Sequence, residues 1–356
     1  MGLSRRALLA GAGALIAAPG LAAQEAALAA LAQDYLRAAG VPGLSVAAAR
    51  GGRIVYAQGF GIADPASGAP ATPDRLFRIA DVSMAFTAAA AFALIGQGRL
   101  RLADRVFGPD GVLGEAYGDT RGMPFVAAVT VEHLLAHTVG GWAAGDGDPM
   151  LAQPHLGFRD LIAWTLKNRP LGAPPGRTFA YSRFGYCVLG RVLEQATHQW
   201  YATLMRDRVF HPCGIARMAI AGNTAALRAP GEVAYAGQGD DPYGFNIARM
   251  DAACGWIASA GDLARFAGGL PSVLGPASVI AMLTPAPANP AFGRGVALDG
   301  RGGWFHDGSL PGTSALVAHT AGGLSFAALA NGRSADSVAG LRALMRDMAR
   351  AAKDWR

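Results

Sequence analysis

The chain has 356 residues, enough for one large domain or two ordinary ones, with 52% hydrophobic and 16% charged. That balance excludes a disordered chain and indicates a sizeable core. The formal charge of +6 carries no nucleic-acid footprint, because the arginines are scattered rather than clustered with aromatics and Lys167 and Lys353 are the only lysines.

Residues 1–23 read as a twin-arginine signal peptide. Ser4-Arg5-Arg6-Ala7-Leu8-Leu9 opens it, a moderately apolar run follows over 8–18, and Leu21-Ala22-Ala23 offers a cleavage site before Gln24. The run is short and rich in Gly and Ala for a bilayer span. The expectation is therefore a periplasmic chain from residue 24, of formal charge +4 (29 minus 25), with no membrane span after cleavage. An uncleaved anchor is the alternative.

An amphipathic helix is expected over 25–39, then strands over 43–49 and 53–58 joined at Gly51-Gly52, a good hairpin turn. Asp81 stands at an N-cap position before 82–97, which is apolar on every side and so belongs to a buried helix, with Gly98 as its stop. Further helices are expected from the stretch opening at Val129, over 158–167, 185–197 and 201–209, and from Ser259-Ala260-Gly261-Asp262. Strands return towards His306, over 314–319 and over 324–330, before an amphipathic helix over 335–353. Strands at both ends with helices between predict an α/β chain of the α+β type. In it, an antiparallel sheet from the N- and C-terminal segments (about 27–80 and 290–356) faces a mostly helical insertion (about 81–289), all within one domain over 24–356.

Thr72-Pro73-Asp74, then Leu76-Phe77-Arg78-Ile79, then the apolar helix, resembles the serine β-lactamase, penicillin-binding protein and esterase superfamily, with the class C β-lactamase branch most similar. The resemblance runs from about residue 27 to about 350. It implies a β-lactamase/transpeptidase-like fold with the active site in the crevice between the layers. In that superfamily the helix opens with S-x-x-K, where the Ser is acylated and the Lys helps take its proton. Here the same stretch is Asp81-Val82-Ser83-Met84. The family's Y-x-N motif is matched by Tyr181-Ser182-Arg183 behind Pro174-Pro175-Gly176, and its K/H-x-G strand by His306-Asp307-Gly308, followed by Ser309. The resemblance thus implies Tyr181 and His306 as retained catalytic positions and Asp81 and Met84 as substituted nucleophile and lysine positions. Arg183, Asp307, Gly308 and Ser309 are its ligand-binding positions.

Plainer readings exist for each. Asp81 can simply cap its helix, Met84 can fill the core because a thioether moves no proton, and Tyr181 and His306 can be packing residues. Ser83 is the tempting replacement nucleophile, but it lies about 200° round the helix from Asp81 and no general base is paired to it in the sequence. His133 and His137 are spaced i, i+4, but no third ligand is evident and no metal or other cofactor is expected. Cys187, Cys213 and Cys254 could pair in an exported protein, and spacing cannot say which.

The functional expectation is an exported, β-lactamase-like binding or regulatory pseudoenzyme. It would have lost serine acyl-enzyme hydrolysis and would bind a small molecule or a peptidoglycan-type peptide, not nucleic acid. The alternative is an active hydrolase or acyltransferase on a small ester, amide or D-amino-acid peptide, using Asp81, Tyr181 and His306. Sequence leaves the oligomeric state open. Asp81 and Arg183 are expected either to form an ion pair across the crevice or to go separate ways, with Arg183 in solvent.

Overall fold

A computed structural model describes residues 19–145 and 147–352, with side chains from residue 23. The twin-arginine pattern, apolar run 8–18 and Lys353 lie outside the described residues. The chain opens with α1 (Pro19–Ala39), β1 (Gly43–Arg50), β2 (Arg53–Asp64), β3 (Ala69–Pro70) and β4 (Phe77–Arg78). A 3-10 turn, Ala80–Val82, leads into α2 (Ser83–Gly96). The insertion holds α3 (Pro124–Ala127), α4 (Val131–Leu135), α5 (Phe158–Asn168), α6 (Arg183–Thr197), α7 (Tyr201–Met205), β5 (Ala219–Ile220) and β6 (Trp256–Ala258). Then follow α8 (Ala260–Val273), α9 (Pro276–Leu283), β7 (Ala297–Leu298), β8 (Trp304–Leu310), β9 (Thr313–His319), β10 (Leu324–Ala330) and α10 (Ser337–Ala351).

Seven strands form one antiparallel sheet in the order β3-β2-β1-β10-β9-β8-β7. The chain's two ends meet at its centre, where Leu44 stands opposite Ala330. The central strands are apolar at almost every position because both faces are covered. Val46, Ala48, Phe326 and Ala328 face α1 and α10 through Leu28, Tyr35, Leu344 and Met345. Ala47, Ala49, Ala327 and Leu329 face the other way, into the larger core with α8 and α2. The alternation of period two thus divides one run of small apolar residues between two cores. Gly268 lets α8 come close to the sheet, since a Cβ there would sit 2.5 Å from Gly52 N and 3.1 Å from Ser325 Oγ.

Several expected boundaries move. Helix α1 begins at Pro19, so the expected cleavage point before Gln24 falls inside a helix. Strand β2 continues to Asp64, and β8 continues through His306 to Leu310. The helix expected over 201–209 divides into α7 and a π-helical turn at Arg206–Phe210. A second sheet, β4-β6-β5, was not anticipated. It ties Phe77 and Arg78 to Ile257 and Ala258 and delivers the chain to the 3-10 turn before α2. No described helix is long and apolar enough to cross a membrane.

Candidate active site

The start of α2 is held between β8 and α6. Ala80 adopts φ +45°, so the chain enters by a 3-10 turn instead of running directly into the α-helix. Asp81 therefore lies within that turn, and its carboxylate caps no helix N–H; Ile79 and Val82 hold the cap positions. The N-cap expectation for Asp81 is corrected here, because the residue in the tight φ > 0 geometry precedes it and turns its side chain towards α6. Gly308 lets β8 pass the turn. A Cβ there would sit 2.6 Å from Asp81 N and 2.7 Å from Ile79 O, closer than any side chain permits.

Ser182 caps α6 by accepting from Gly185 N at 2.9 Å, and its own hydroxyl donates to Trp142 O at 2.6 Å. This places Arg183 in the first turn, where the helix dipole disfavours a cation. Two carboxylates compensate. Arg183 Nε donates to Asp81 Oδ1 at 2.7 Å and Nη2 to Asp81 Oδ2 at 3.3 Å, a bidentate pair. Its Nη1 donates to Asp148 Oδ2 at 3.2 Å, and Asp148 Oδ1 accepts from Met150 N at 2.9 Å. Of the two arrangements open in the sequence, the paired one is present, with 6% of the Asp81 side chain and 16% of the Arg183 side chain exposed.

The Asp81 carboxylate has two further donors, Ser309 N at 3.3 Å and the Cys254 thiol at 3.6 Å. Burial pushes its carboxyl up, but the Arg183 charge and hydrogen bonds, with the Ser309 N–H, more than offset this and hold it below the usual range. Asp148 goes the other way: burial raises it, because one guanidinium serves two acids. Burial, with Asp81 beside it, pushes the Tyr181 phenol and the Cys254 thiol well up. Tyr181 is thus a neutral donor, and its hydroxyl points at Met84 Sδ, 3.3 Å away.

Two histidines complete the site. His306 Nδ1 lies 2.8 Å from the carbonyl oxygen of Asp307, so Nδ1 carries the proton and Nε2 is a lone pair with no hydrogen-bond partner. Burial lowers its pKa to about 4. His137, in a left-handed conformation after α4, accepts from Ser182 N at 3.1 Å through Nδ1 and stacks on Tyr181 with ring centroids 4.3 Å apart. Its Nε2–H has no partner, and burial lowers its pKa to about 3. His133 instead folds back on Thr130 N at 3.1 Å, so the i, i+4 pair does not converge. Among the described residues no group of three or more His, Cys, Asp or Glu side chains could hold a metal. The three cysteines are free rather than paired, Cys187 and Cys254 buried and Cys213 partly so.

Asp81, Tyr181, Arg183, His306, Asp307, Gly308 and Ser309 all line one cleft of about 490 Å³, walled by Phe179, Phe292 and Phe305. Met84 lies beneath it, fully buried. At the rim Asp307 pairs with Arg342 of α10, whose guanidinium lies 4.7 Å from the Phe305 ring centre. Sequence reasoning missed Asp148 altogether, named His137 only as a metal candidate and Cys254 only as a disulfide candidate. A cation in the first turn of α6 signals a need for anions, but nothing local to Asp148 says that it answers.

The profile of the Beta-lactamase family matches residues 28–350. The chain is 32% identical over 182 residues to penicillin-binding protein 4 of Amycolatopsis lactamdurans, covering 49% of this chain and 44% of that one. It is 31% identical over 186 residues to esterase EstB of Burkholderia gladioli, covering 47% and 44%. The matched region thus spans less than half the length of these relatives. Among solved structures, D-amino acid amidase from Ochrobactrum anthropi SV3 superposes with a TM-score of 0.76 at 21% identity, covering 93% of this chain and 98% of that one. The octameric penicillin-binding protein homologue from Pyrococcus abyssi gives 0.74 at 22%, covering 90% and 77%. With the sheet, the crevice and the family profile in agreement over nearly the whole described chain, this protein belongs to the Beta-lactamase family.

Proposed function

We propose that the protein is an exported, non-acylating member of this family that binds a small amide, ester or D-amino-acid peptide in the cleft without forming an acyl-enzyme. The observation that carries this reading is the occupancy of the Asp81 carboxylate. Four donors converge on it, including the N–H of Ser309, one of the positions that the resemblance implies for ligand binding. A carboxylate held charged and fully hydrogen-bonded is a poor nucleophile and a poor base. Met84 offers no proton acceptor, and the raised Tyr181 phenol stays protonated. What remains is an aromatic-walled cleft with polar groups at its floor and the Asp307–Arg342 pair at its rim, a binding site without a nucleophile.

The test is intact-protein mass spectrometry after incubation with a fluorescent penicillin and an activated ester. Unchanged mass, with a rise in melting temperature on adding D-amino-acid amides or peptides, is the expected result. Stoichiometric adducts on Ser83 or Tyr181 would overturn it. One observation favours a second reading, a hydrolase that activates water directly: the unpartnered lone pair of His306 Nε2. Ester turnover without an adduct, abolished by His306→Asn, would establish that reading instead.

A further inference from the structure

A second cavity, of about 580 Å³, lies at the opposite end of α6 from Arg183 and shares no lining residue with the cleft. The separation along the helix is roughly 20 Å at 1.5 Å per residue. Trp200, in the turn between α6 and α7, stands at its edge with 76% of its surface exposed, the most exposed large hydrophobic residue among those described. Tyr117 reaches it from the loop before α3, and Gln195, Gln199 and Glu194 from the end of α6 and the turn after it.

The floor is Arg191, 2% exposed and immobilised. Its Nη2 donates to Asp251 at 2.7 Å, its Nε lies 3.0 Å from Glu194 Oε2, and its guanidinium covers the Phe158 ring at 4.0 Å. Glu194 is fixed in turn by Tyr201 N, 2.8 Å from its Oε1. The Arg191 guanidinium is thus shared between two carboxylates, Asp251 and Glu194, and is not left over to hold an anionic ligand. Two aromatic side chains, one almost bare, stand beside planar amide and carboxylate groups. Aromatic faces take the C–H face of a pyranose ring, and planar amides and carboxylates match the spacing of neighbouring hydroxyls.

We propose that this cavity is a binding site for a neutral saccharide, stacked on Trp200 and hydrogen-bonded by Gln195, Gln199 and Glu194. It is independent of the acylation state of the cleft, so its failure and the failure of the proposed function are distinguishable.

The experiment is a titration of the full-length protein with N,N′-diacetylchitobiose and with cellobiose, read by tryptophan fluorescence and by calorimetry. The expected result is saturable binding with a Kd of about 1 mM for at least one of them, weakened about tenfold or more in Trp200→Ala and in Gln199→Ala. Ile280→Ala, which removes an exposed apolar residue on α9, should bind as wild type does. Circular dichroism should show the Trp200→Ala protein folded. No saturable response to either sugar, or a response undiminished in a folded Trp200→Ala protein, would overturn the proposal.

Discussion

Removing Arg183 probes the centre of the site most directly. Arg183→Ala leaves the Asp81 carboxylate buried beside Cys254 and Ser309 N with no counter-charge, and breaking a buried pair from one side typically costs about 3–5 kcal/mol. For a chain of this size that corresponds to a melting temperature lower by roughly 4–7 °C. The double variant Arg183→Asn with Asp81→Ser removes both charges and should lose less than the single one. Asp148, already raised by burial, loses its partner in both variants, so it cancels from the comparison. The sign of the pH dependence adds a second check. In the wild type Asp81 is depressed, so its contribution is present above the ordinary carboxyl pKa and is lost as pH falls through the folded value. In Arg183→Ala burial, the largest influence, is opposed only by the weaker Ser309 N–H and Cys254 contacts and is expected to raise it, so that contribution is largest in acid and is lost as pH rises. The stability gap between the two proteins should therefore narrow from pH 8 to pH 5 in urea titrations. A gap that widens on acidification, or a double variant less stable than the single one, would refute the compensation argument.

Other outcomes follow from the same geometry. His306 and His137 titrate near 4 and 3 when folded but near the ordinary histidine value when unfolded, so stability should fall as pH drops below about 6.5, by up to about 3 kcal/mol each at the acid end; His306→Asn should flatten that slope in urea midpoints taken between pH 7 and 4. Gly308→Ala should destabilise by about 1–3 kcal/mol, because its methyl group would meet Asp81 N and Ile79 O, and a melting temperature equal to wild type would show that β8 is not pinned there. The thiols of Cys187 and Cys254, raised by burial, should resist a thiol-reactive disulfide reagent in the native protein and react only with unfolding, whereas rapid native labelling of Cys254 would show that the cleft opens to it.

The sheet was legible because its signals are local and periodic. The Gly51-Gly52 turn and the alternation over 314–319 and 324–330 each carry their own pattern, and the family resemblance supplied their order. The strand expected over 53–58 runs on to Asp64, and its glycines at 59 and 61 let it pass close to Ala71 and Pro42, an approach that shows only in the fold. Likewise His306-Asp307-Gly308 looked like a strand end, but Gly308 marks a close crossing within β8. The Asp81–Arg183 pair could be anticipated because two departures from one motif set had opposite charge. Asp148 could not, since only the fold brings its loop to α6. The Asp81 cap failed for a backbone reason: a positive φ at an alanine leaves no mark in the sequence.

The pairing of β1 with β10 has a consequence for how the chain becomes a protein. Leu44 must wait for Ala330, almost the whole described length away, before the central ladder can close. Such a contact bears a large loop-closure entropy and slows folding. Until the last strand emerges, β1 presents an unpaired, alanine-rich edge on the side β10 will fill, although β2 can already close its other side as a hairpin. A chain truncated before Leu324 would keep that edge permanently, and an open edge of this kind invites pairing with other copies. Folding is therefore expected to finish only once β10 has been made, and truncations that remove β10 should yield aggregates rather than a smaller soluble domain.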